Sequence, residues 1–210
     1  MKRMIKKMTK KGAQAVFLFG GAAFLLCGCS GVEPEKRLYP LVMSVDYVDS
    51  QYRVSYGMAD LPGATGQEKP EEGEDPGNVS LSGRDFREIE KEYDRSQEKY
   101  LDVSHLEVLI LGDDMIRQKQ CAALLNYLKE DPLVGEDLYV FRASDVEEVM
   151  AYQGDDNQTI GEYLVGIYEN RPYNQKRSGI TLRQVYNSWY GQEGLPALPL
   201  IKLREDGPYL

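Results

Sequence analysis

The fold is set by the stretch LEVLILGDD, residues 106–114. Five of its first six residues are apolar, and a glycine and two acids follow, which is typical of a buried strand that leads directly into a helix. Apolar side chains then recur at helical spacing up to Asp131-Pro132, and a second strand-like run follows at residues 137–142. Two strands joined by one helix favour a right-handed parallel crossover. We therefore expect a parallel pair of strands inside a sheet.

A hairpin, a loop and a helix are predicted before this central unit. Residues 41–48 and 52–58 are apolar or alternating runs around a short polar turn, which indicates an antiparallel N-terminal β-hairpin. Residues 83–100 carry apolar side chains at helical intervals and predict one amphipathic helix. In between, residues 61–78 hold proline, glycine and acids with almost nothing to bury, so we expect a mobile acidic loop. Because a hairpin is too small to fold alone, residues 41–210 are expected to form one domain.

Capping boxes mark three helices after the central unit. Ser144, Thr159 and Thr181 are each followed three residues later by Glu or Gln, so that side chains at each helix start can satisfy free backbone amides. Residues 198–203 are interpreted as the last strand, and Pro199 favours a position at the sheet edge. Together the elements predict an α/β (α+β) fold, with a mixed β-sheet flanked by helices.

The N-terminus has the parts of a bacterial lipoprotein signal peptide. Residues 1–12 contain six positive charges and no acid. Residues 13–26 are largely apolar but shorter than the roughly 20 residues that a comfortable membrane span needs. The sequence LCGC at residues 26–29 then resembles a lipobox.

The spacing of this motif selects one of its two cysteines. Gly28 supplies the small residue that must precede the modified cysteine, whereas the bulky Leu26 would precede Cys27. We therefore expect a signal peptide at residues 1–28, a lipid on Cys29 and a polar tether at residues 29–40. The alternatives are an uncleaved N-terminal anchor and an ordinary secretory signal with a chance cysteine.

Charge and cysteine content narrow the function classes. Removing residues 1–28 takes away six positive charges and changes the net charge from −9 to −15. Such an acidic surface argues against binding to nucleic acid or adsorption to anionic lipid, so membrane attachment must come from the acyl chains. Cys121 lies in an apolar helical pattern and is interpreted as a buried hydrophobe rather than a reactive thiol. One further cysteine and one histidine cannot form a structural zinc site, and no metal or cofactor is expected.

The sequence contains none of the common catalytic or nucleotide-binding motifs. His105 is interpreted as a structural residue at a helix–strand junction, with the role of a base for a distant nucleophile as the alternative. Asp46 lies within a strand and is interpreted as bonded to the hairpin turn, with a catalytic or ligand-binding role as the alternative. Most tyrosines of the C-terminal helices follow core spacing, but Tyr190 lies off that stripe and is the better candidate for a surface contact. We therefore expect a protein that is not an enzyme.

Several segments resemble one family in their order along the chain. The strand at residues 43–46 ends in aspartate, a Tyr-Arg-Val strand begins at residue 52, and Ser-His at residues 104–105 precedes a strand-glycine-helix unit. This order is similar to that of the Ger(x)C family, the C subunits of spore germinant receptors in endospore-forming bacteria. The resemblance covers the N-terminal domain of that family. Other matching segments are residues 35–42, 138–150 and 195–196.

The resemblance implies a non-enzymatic lipoprotein subunit of a nutrient-germinant receptor, on the outer face of the cytoplasmic or inner spore membrane. Its implied partners are the integral-membrane A- and B-type receptor subunits. The family offers no catalytic residue to transfer, so Cys29 as the lipid site is the one position that it supports. Tyr190 and Arg183 are the first candidates for partner contact. The alternative function is a free-standing surface lipoprotein that binds a small solute or a cell-wall glycan.

Overall fold

A mixed β-sheet forms the centre of the protein. The structure is a computed structural model, and it describes residues 32–58, 78–154, 158–175, 178–204 and 207–210. Within these ranges one sheet of seven strands has the order β4-β3-β2-β6-β7-β8-β9, and β1 and β5 form a separate parallel pair. The strands are β1 Arg37–Leu38, β2 Pro40–Val48, β3 Gln51–Met58, β4 Val79–Gly83, β5 Tyr100–Leu101, β6 Val108–Gly112, β7 Tyr139–Ala143, β8 Leu200–Arg204 and β9 Gly207–Tyr209.

Helices pack against both faces of the sheet, so the predicted α/β class with a mixed sheet is confirmed. The helices are α1 Phe86–Ser96, α2 Asp113–Arg117, α3 Cys121–Glu130, α4 Val146–Met150, α5 Ile160–Glu169 and α6 Leu182–Tyr190. One apolar cluster joins the sheet to α1, α2, α3 and α6, and a second joins the opposite face to α4 and α5. The central strand β6 contributes to both clusters, because its side chains alternate between the faces. This explains why residues 106–111 are almost continuously apolar.

The N-terminal hairpin is present as predicted. Strands β2 and β3 pair antiparallel through a two-residue turn, in which Asp49 and Ser50 both adopt positive φ angles of 51° and 63°. A turn of this type matches the right-handed twist of the two strands. On its other side β2 pairs in parallel with β6, and β6 pairs in parallel with β7. The hairpin is therefore joined to the parallel part of the sheet through β2.

The helix predicted after residue 112 is two helices instead of one. Helix α2 begins directly at Asp113 but ends at Arg117, and α3 starts at Cys121. Lys119 between them adopts a left-handed φ of 59°, which interrupts the helical backbone. Both helices nevertheless bury apolar side chains on the same face of the sheet, so the predicted apolar stripe holds across the break.

Three other features differ from the sequence prediction: one helix end, one strand position and one omitted strand. The helix predicted for residues 83–100 ends at Ser96, and Tyr100 lies in β5 instead. Strand β8 is not at the edge, because β9 pairs with its outer side, so the edge position predicted from Pro199 is wrong. The sequence prediction omitted β4, which covers the free side of the hairpin strand β3.

Two of the three predicted capping boxes are present. The Glu162 carboxylate accepts from the Thr159 amide, and the Gln184 side chain accepts from the Thr181 amide, both at 2.9 Å. The third helix start is shifted by one residue, since Asp145 rather than Ser144 caps α4. The Ser144 hydroxyl donates to Asp113 instead, at 2.8 Å.

The end of the predicted tether is folded. Residues Pro34–Lys36 form a 3-10 helix, and β1 follows at once and pairs with β5. Residues Pro34–Leu210 group into one compact unit. The expectation of a tether at residues 29–40 therefore fails for its second half. The predicted signal peptide, the lipid site at Cys29 and the acidic loop up to residue 77 lie outside the described residues.

Candidate partner-binding face

Helix α6 presents both residues that the sequence selected as contact candidates. Arg183 and Tyr190 are seven residues apart, which is two helical turns, so their side chains point to the same side of the helix. Leu182, Val185 and Tyr186 are buried against the sheet and hold the helix in place. The buried and exposed sides of α6 follow from the amphipathic sequence of this helix, which begins after the Thr181 capping box.

Tyr190 is held in a defined orientation at the surface. Its hydroxyl donates to the Asn126 side chain of α3 at 2.9 Å, and the Lys129 ammonium lies 4.0 Å from its ring centroid. The side chain still keeps 44% of its surface exposed. A fixed aromatic ring with a cation beside it loses little conformational entropy when another protein covers it.

Arg183 forms only solvent-exposed ion pairs. Its guanidinium lies 2.9 Å from the Asp137 carboxylate and 3.4 Å from that of Glu136, and 59% of the Arg183 side chain is exposed. Exposed pairs of this kind contribute little to stability. The arginine can therefore exchange these carboxylates for acceptors on a partner at small cost.

A tyrosine-lined groove lies on the other side of α3. Its cavity of about 220 Å³ runs between α1, α3 and β5. Four tyrosines and three acids line it: Tyr56, Tyr93, Tyr100, Tyr127, Glu90, Asp94 and Asp131. At the rim, Tyr100 and Leu133 are exposed by 48% and 43%. The groove thus combines accessible apolar surface with negative charge.

Two tyrosines of this groove, Tyr93 and Tyr127, have raised pKa values and stay protonated at neutral pH. Burial raises the pKa of Tyr93 to about 12, and its hydroxyl donates to the Lys99 carbonyl at 2.9 Å. Burial likewise holds the pKa of Tyr127 well above its usual range, with the nearby Tyr56 hydroxyl and the Glu90 carboxylate adding to the shift. Phe86 stacks on Tyr127 at 4.7 Å and fixes that ring. The groove wall is therefore rigid.

Helix α3 connects the two features into one surface. Its Tyr127 packs on α1 through Phe86, and its Asn126 binds α6 through Tyr190. We define the α3 face as the outer surface of α1, α3 and α6 together with β5 and residues 131–137. Exposed aromatic and aliphatic side chains occur at both of its ends. Sequence reasoning found Tyr190 and Arg183 but missed Tyr100 and Leu133, because the first was assigned to a helix and the second follows a proline in a turn.

The remaining candidates of the sequence lie away from this surface. His105 is exposed on a 3-10 helix; its Nδ1 lies 3.1 Å from the Ser104 hydroxyl, and its ring packs edge-on against Tyr39 at 4.8 Å. Asp46 is not bonded to the hairpin turn, as the sequence suggested, but accepts from the amides of Tyr47 and Met115. Cys121 is buried as expected, and burial raises the pKa of its thiol to about 11.

The described ranges contain neither a cluster of metal-binding side chains nor a membrane-spanning helix. No three His, Cys, Asp or Glu side chains of the described residues are grouped so that they could hold a metal ion. None of the helices described above is both long enough and apolar enough to cross a bilayer.

Comparison with known families gives one match. A family model described as the spore germination protein N-terminal domain matches residues 30–203. The chain belongs to this family. No curated protein and no solved structure matches the chain.

The match confirms the resemblance to the Ger(x)C proteins. The N-terminal domain of these spore germination proteins covers the whole fold from β1 into β8, including every helix of the α3 face. The two proposed contact residues therefore lie inside the family domain and not in an appended segment. The family domain thus coincides with most of the folded unit.

Proposed function

We propose that this spore germination domain is a non-enzymatic, lipid-anchored subunit of a nutrient-germinant receptor. It is held through Cys29 on the outer face of the cytoplasmic or inner spore membrane, and its α3 face contacts integral-membrane receptor subunits of the A and B type. The family match supports a role in germination. The exposed aromatic residues of the α3 face support a role through contact rather than turnover.

The observation that carries this proposal is the fixed, exposed Tyr190 beside Lys129 and on the same side of α6 as Arg183. Tyrosine and arginine are enriched among the few residues that supply most of the binding energy of protein interfaces. Tyr190 is already oriented by Asn126, so its ring needs little further ordering on binding. Arg183 is available because its present ion pairs are exposed.

The contact proposal is tested with variants of α6 in spores. Tyr190→Ala and Arg183→Glu, made together, are expected to abolish the nutrient-triggered loss of spore refractility and the co-purification of membrane subunits. Circular dichroism should show an unchanged fold, because both side chains are largely exposed.

Tyr173→Ala is the matched control, since this tyrosine is 93% exposed and lies outside the α3 face. Normal germination with the α6 double variant would overturn the contact proposal. So would an equal loss with the double variant and with Tyr173→Ala.

The lipid anchor needs its own test. A labelled fatty acid should be incorporated into the wild-type protein and the Cys27→Ala variant, but not into Cys29→Ala, because acylation and the cleavage that depends on it both require the modified thiol. The Cys29→Ala protein should be found as an unprocessed or soluble form in membrane fractionation. Label on Cys29→Ala but not on Cys27→Ala would show that the other cysteine is modified.

A further inference from the structure

A second groove lies on the opposite face of the sheet from α1, α3 and α6. It has a volume of about 190 Å³ and lies beside the start of α4. Its floor is formed by the polar side of the hairpin, where Ser44 of β2 is the register partner of Ser55 of β3. Two register positions further along, on the same face of the sheet, Asp46 is the partner of Arg53. The β-strand alternation therefore collects polar side chains on a sheet face that is elsewhere apolar.

Ser44 at this floor has an unusual environment. The residue is completely buried, yet its hydroxyl oxygen has no hydrogen-bond partner among the described residues. The neighbouring Ser55 hydroxyl is paired instead with Ser80, at 2.5 Å. Buried polar atoms are nearly always paired, so an orphaned hydroxyl at the bottom of an open groove indicates a missing partner. It is an observation independent of the charges around the groove.

The charges of the lining determine the kind of ligand. Asp46, Asp145 and Glu147 face the groove against a single cation, Arg53, which pairs with Glu147. This excess of negative charge disfavours free anions. The described residues contain no group of acids arranged to hold a metal ion, which favours an organic cation.

Asp46 is the carboxylate best suited to receive such a cation. Its Oδ1 accepts from the amides of Tyr47 and Met115, whereas Oδ2 accepts no hydrogen bond from the described residues. Burial raises the pKa of this carboxyl, and the two amides oppose the shift. A positive group at Oδ2 would compensate for that loss of hydration.

The distance between the two key side chains limits the ligand's size. Ser44 and Asp46 are two residues apart on one face of β2, which corresponds to about 7 Å along the strand. The groove volume of about 190 Å³ suits a small compound. A compound with an ammonium group and an oxygen three bonds apart can bridge the two side chains within this space.

We propose that this groove binds a small organic ammonium compound, with its ammonium group on Asp46 and its oxygen atom on the Ser44 hydroxyl. Both amino alcohols and amino acids have this chemistry. The proposal does not depend on the α3 face or on the proposed receptor role. In this proposal the polar face of the β2–β3 hairpin is the surface that recognises the ligand.

Ligand-observed NMR and calorimetry on the full chain in detergent micelles test the proposal. The probes are ethanolamine and glycine, with glycerol as the neutral probe and acetate as the anionic one. Ethanolamine or glycine should bind, whereas glycerol and acetate should bind much more weakly. Ser44→Ala should lower the association constant about fivefold, the effect expected for one lost hydrogen bond.

The Ser44→Ala variant also separates a binding role from a structural one. Because the hydroxyl has no partner among the described residues, its removal should leave the melting temperature of the free protein unchanged or raised. Ser96→Ala, an exposed serine on the opposite side of the molecule, is the matched control and should change neither binding nor stability. Ser44→Val, which fills the floor of the groove, should abolish binding.

Three results would overturn the proposal. The first is that neither ammonium probe binds the full chain. The second is that acetate binds better than ethanolamine, since the charge argument would then have the wrong sign. The third is that Ser44→Ala and Ser44→Val bind like Ser96→Ala, which would move any observed binding to another part of the chain.

Discussion

Arg37 donates a hydrogen bond of 2.6 Å to Oδ2 of Asp102 and thereby fixes β1 to the segment that precedes the central strand. Asp102 is only 4% exposed and also accepts from the Ser104 amide and hydroxyl. Burial alone would raise the pKa of Asp102, but the hydrogen bonds from Ser104 and Arg37 outweigh it, and the pKa is lowered. The ion pair therefore stabilises the charged form of a buried acid.

Arg37→Met should destabilise the protein in a pH-dependent way. The pKa of Asp102 is lower in the folded state than in the unfolded state, so the charged carboxylate stabilises the fold. This stabilisation is fully present above the unfolded-state pKa of about 3.9, and it is lost as the pH falls through the folded-state pKa. The difference in unfolding free energy between wild type and variant should thus be larger at pH 7 than in strong acid. Urea unfolding followed by circular dichroism measures it.

Arg84→Met is the control for this pair. Arg84, just before α1, binds Glu88 in the first turn of this helix, and the Arg84 side chain is 78% exposed. Exposed pairs at this spacing contribute little, so the variant should unfold almost like wild type at both pH values. Equal losses for Arg37→Met and Arg84→Met would contradict the role given to Asp102.

Two tyrosines should respond in opposite ways to loss of the hydroxyl. Tyr186 is buried, and its hydroxyl has no partner among the described residues, so Tyr186→Phe should raise the unfolding free energy or leave it unchanged. The Tyr93 hydroxyl donates to the Lys99 carbonyl at 2.9 Å, and Tyr93→Phe should cost about 1 kcal/mol. Thermal and urea unfolding of both variants gives the comparison. A larger loss for Tyr186→Phe than for Tyr93→Phe would show that the Tyr186 hydroxyl has a partner.

Gly112 should not tolerate a side chain, because Asp46 occupies the space. A Cβ atom at Gly112 would lie 2.0 Å from Asp46 Oδ1, although the glycine has an ordinary φ of −67° that alanine also adopts. Gly112→Ala should therefore cost about 1–3 kcal/mol through overpacking. Asp46→Ala removes the nearest atoms but leaves its own Cβ at 2.7 Å, so the double variant should recover part of the loss. Strictly additive effects in this double-mutant cycle would show that the two positions do not contact each other.

His105→Gln should change neither the free energy of unfolding nor the germination response to nutrients by much. The side chain is exposed, and its contacts are limited to the Ser104 hydroxyl and the Tyr39 ring. Surface substitutions of this kind usually change stability by no more than about 0.5 kcal/mol. A folded His105→Gln protein that no longer supports the nutrient response would point to chemistry or ligand binding at this histidine, and against a role through contact alone.

The parts of the fold that the sequence predicted correctly depend on local signals. The run at residues 106–111 is apolar on both faces, and Thr159 and Thr181 begin helices through side chains three residues away. Strand β4 was missed because Leu81 is its only buried apolar side chain, between the two exposed serines Ser80 and Ser82. Such a strand is defined by pairing with β3 rather than by its own pattern.

The incorrect predictions depend on contacts between distant parts of the chain. The helix break at Lys119 contains no glycine or proline that would have predicted it. The break lets both α2 and α3 pack their apolar side chains on the sheet. Asp46 was assigned to the nearby turn, but one of its partners is the Met115 amide, 69 residues away. The groove around Ser44 was not predicted for the same reason. Its residues come from β2, β3 and the start of α4, and only the register of the hairpin brings them together.

The pairing of β1 with β5 also sets the reach of the proposed anchor. Pro34 is the fifth residue after Cys29, and a fully extended chain of five residue steps spans at most about 18 Å. With the lipid on Cys29, as proposed, the first folded residue stays within this distance of the headgroups. Tyr100 at the rim of the tyrosine groove pairs with Arg37 in the β1–β5 register, so this rim lies near the point where the proposed anchor segment enters the fold. A flexible insertion of twenty Gly-Ser residues before Pro34 would lengthen the segment between the lipid and the fold. Slower germination by spores that carry the insertion would show that the receptor depends on proximity to the membrane as well as on attachment to it.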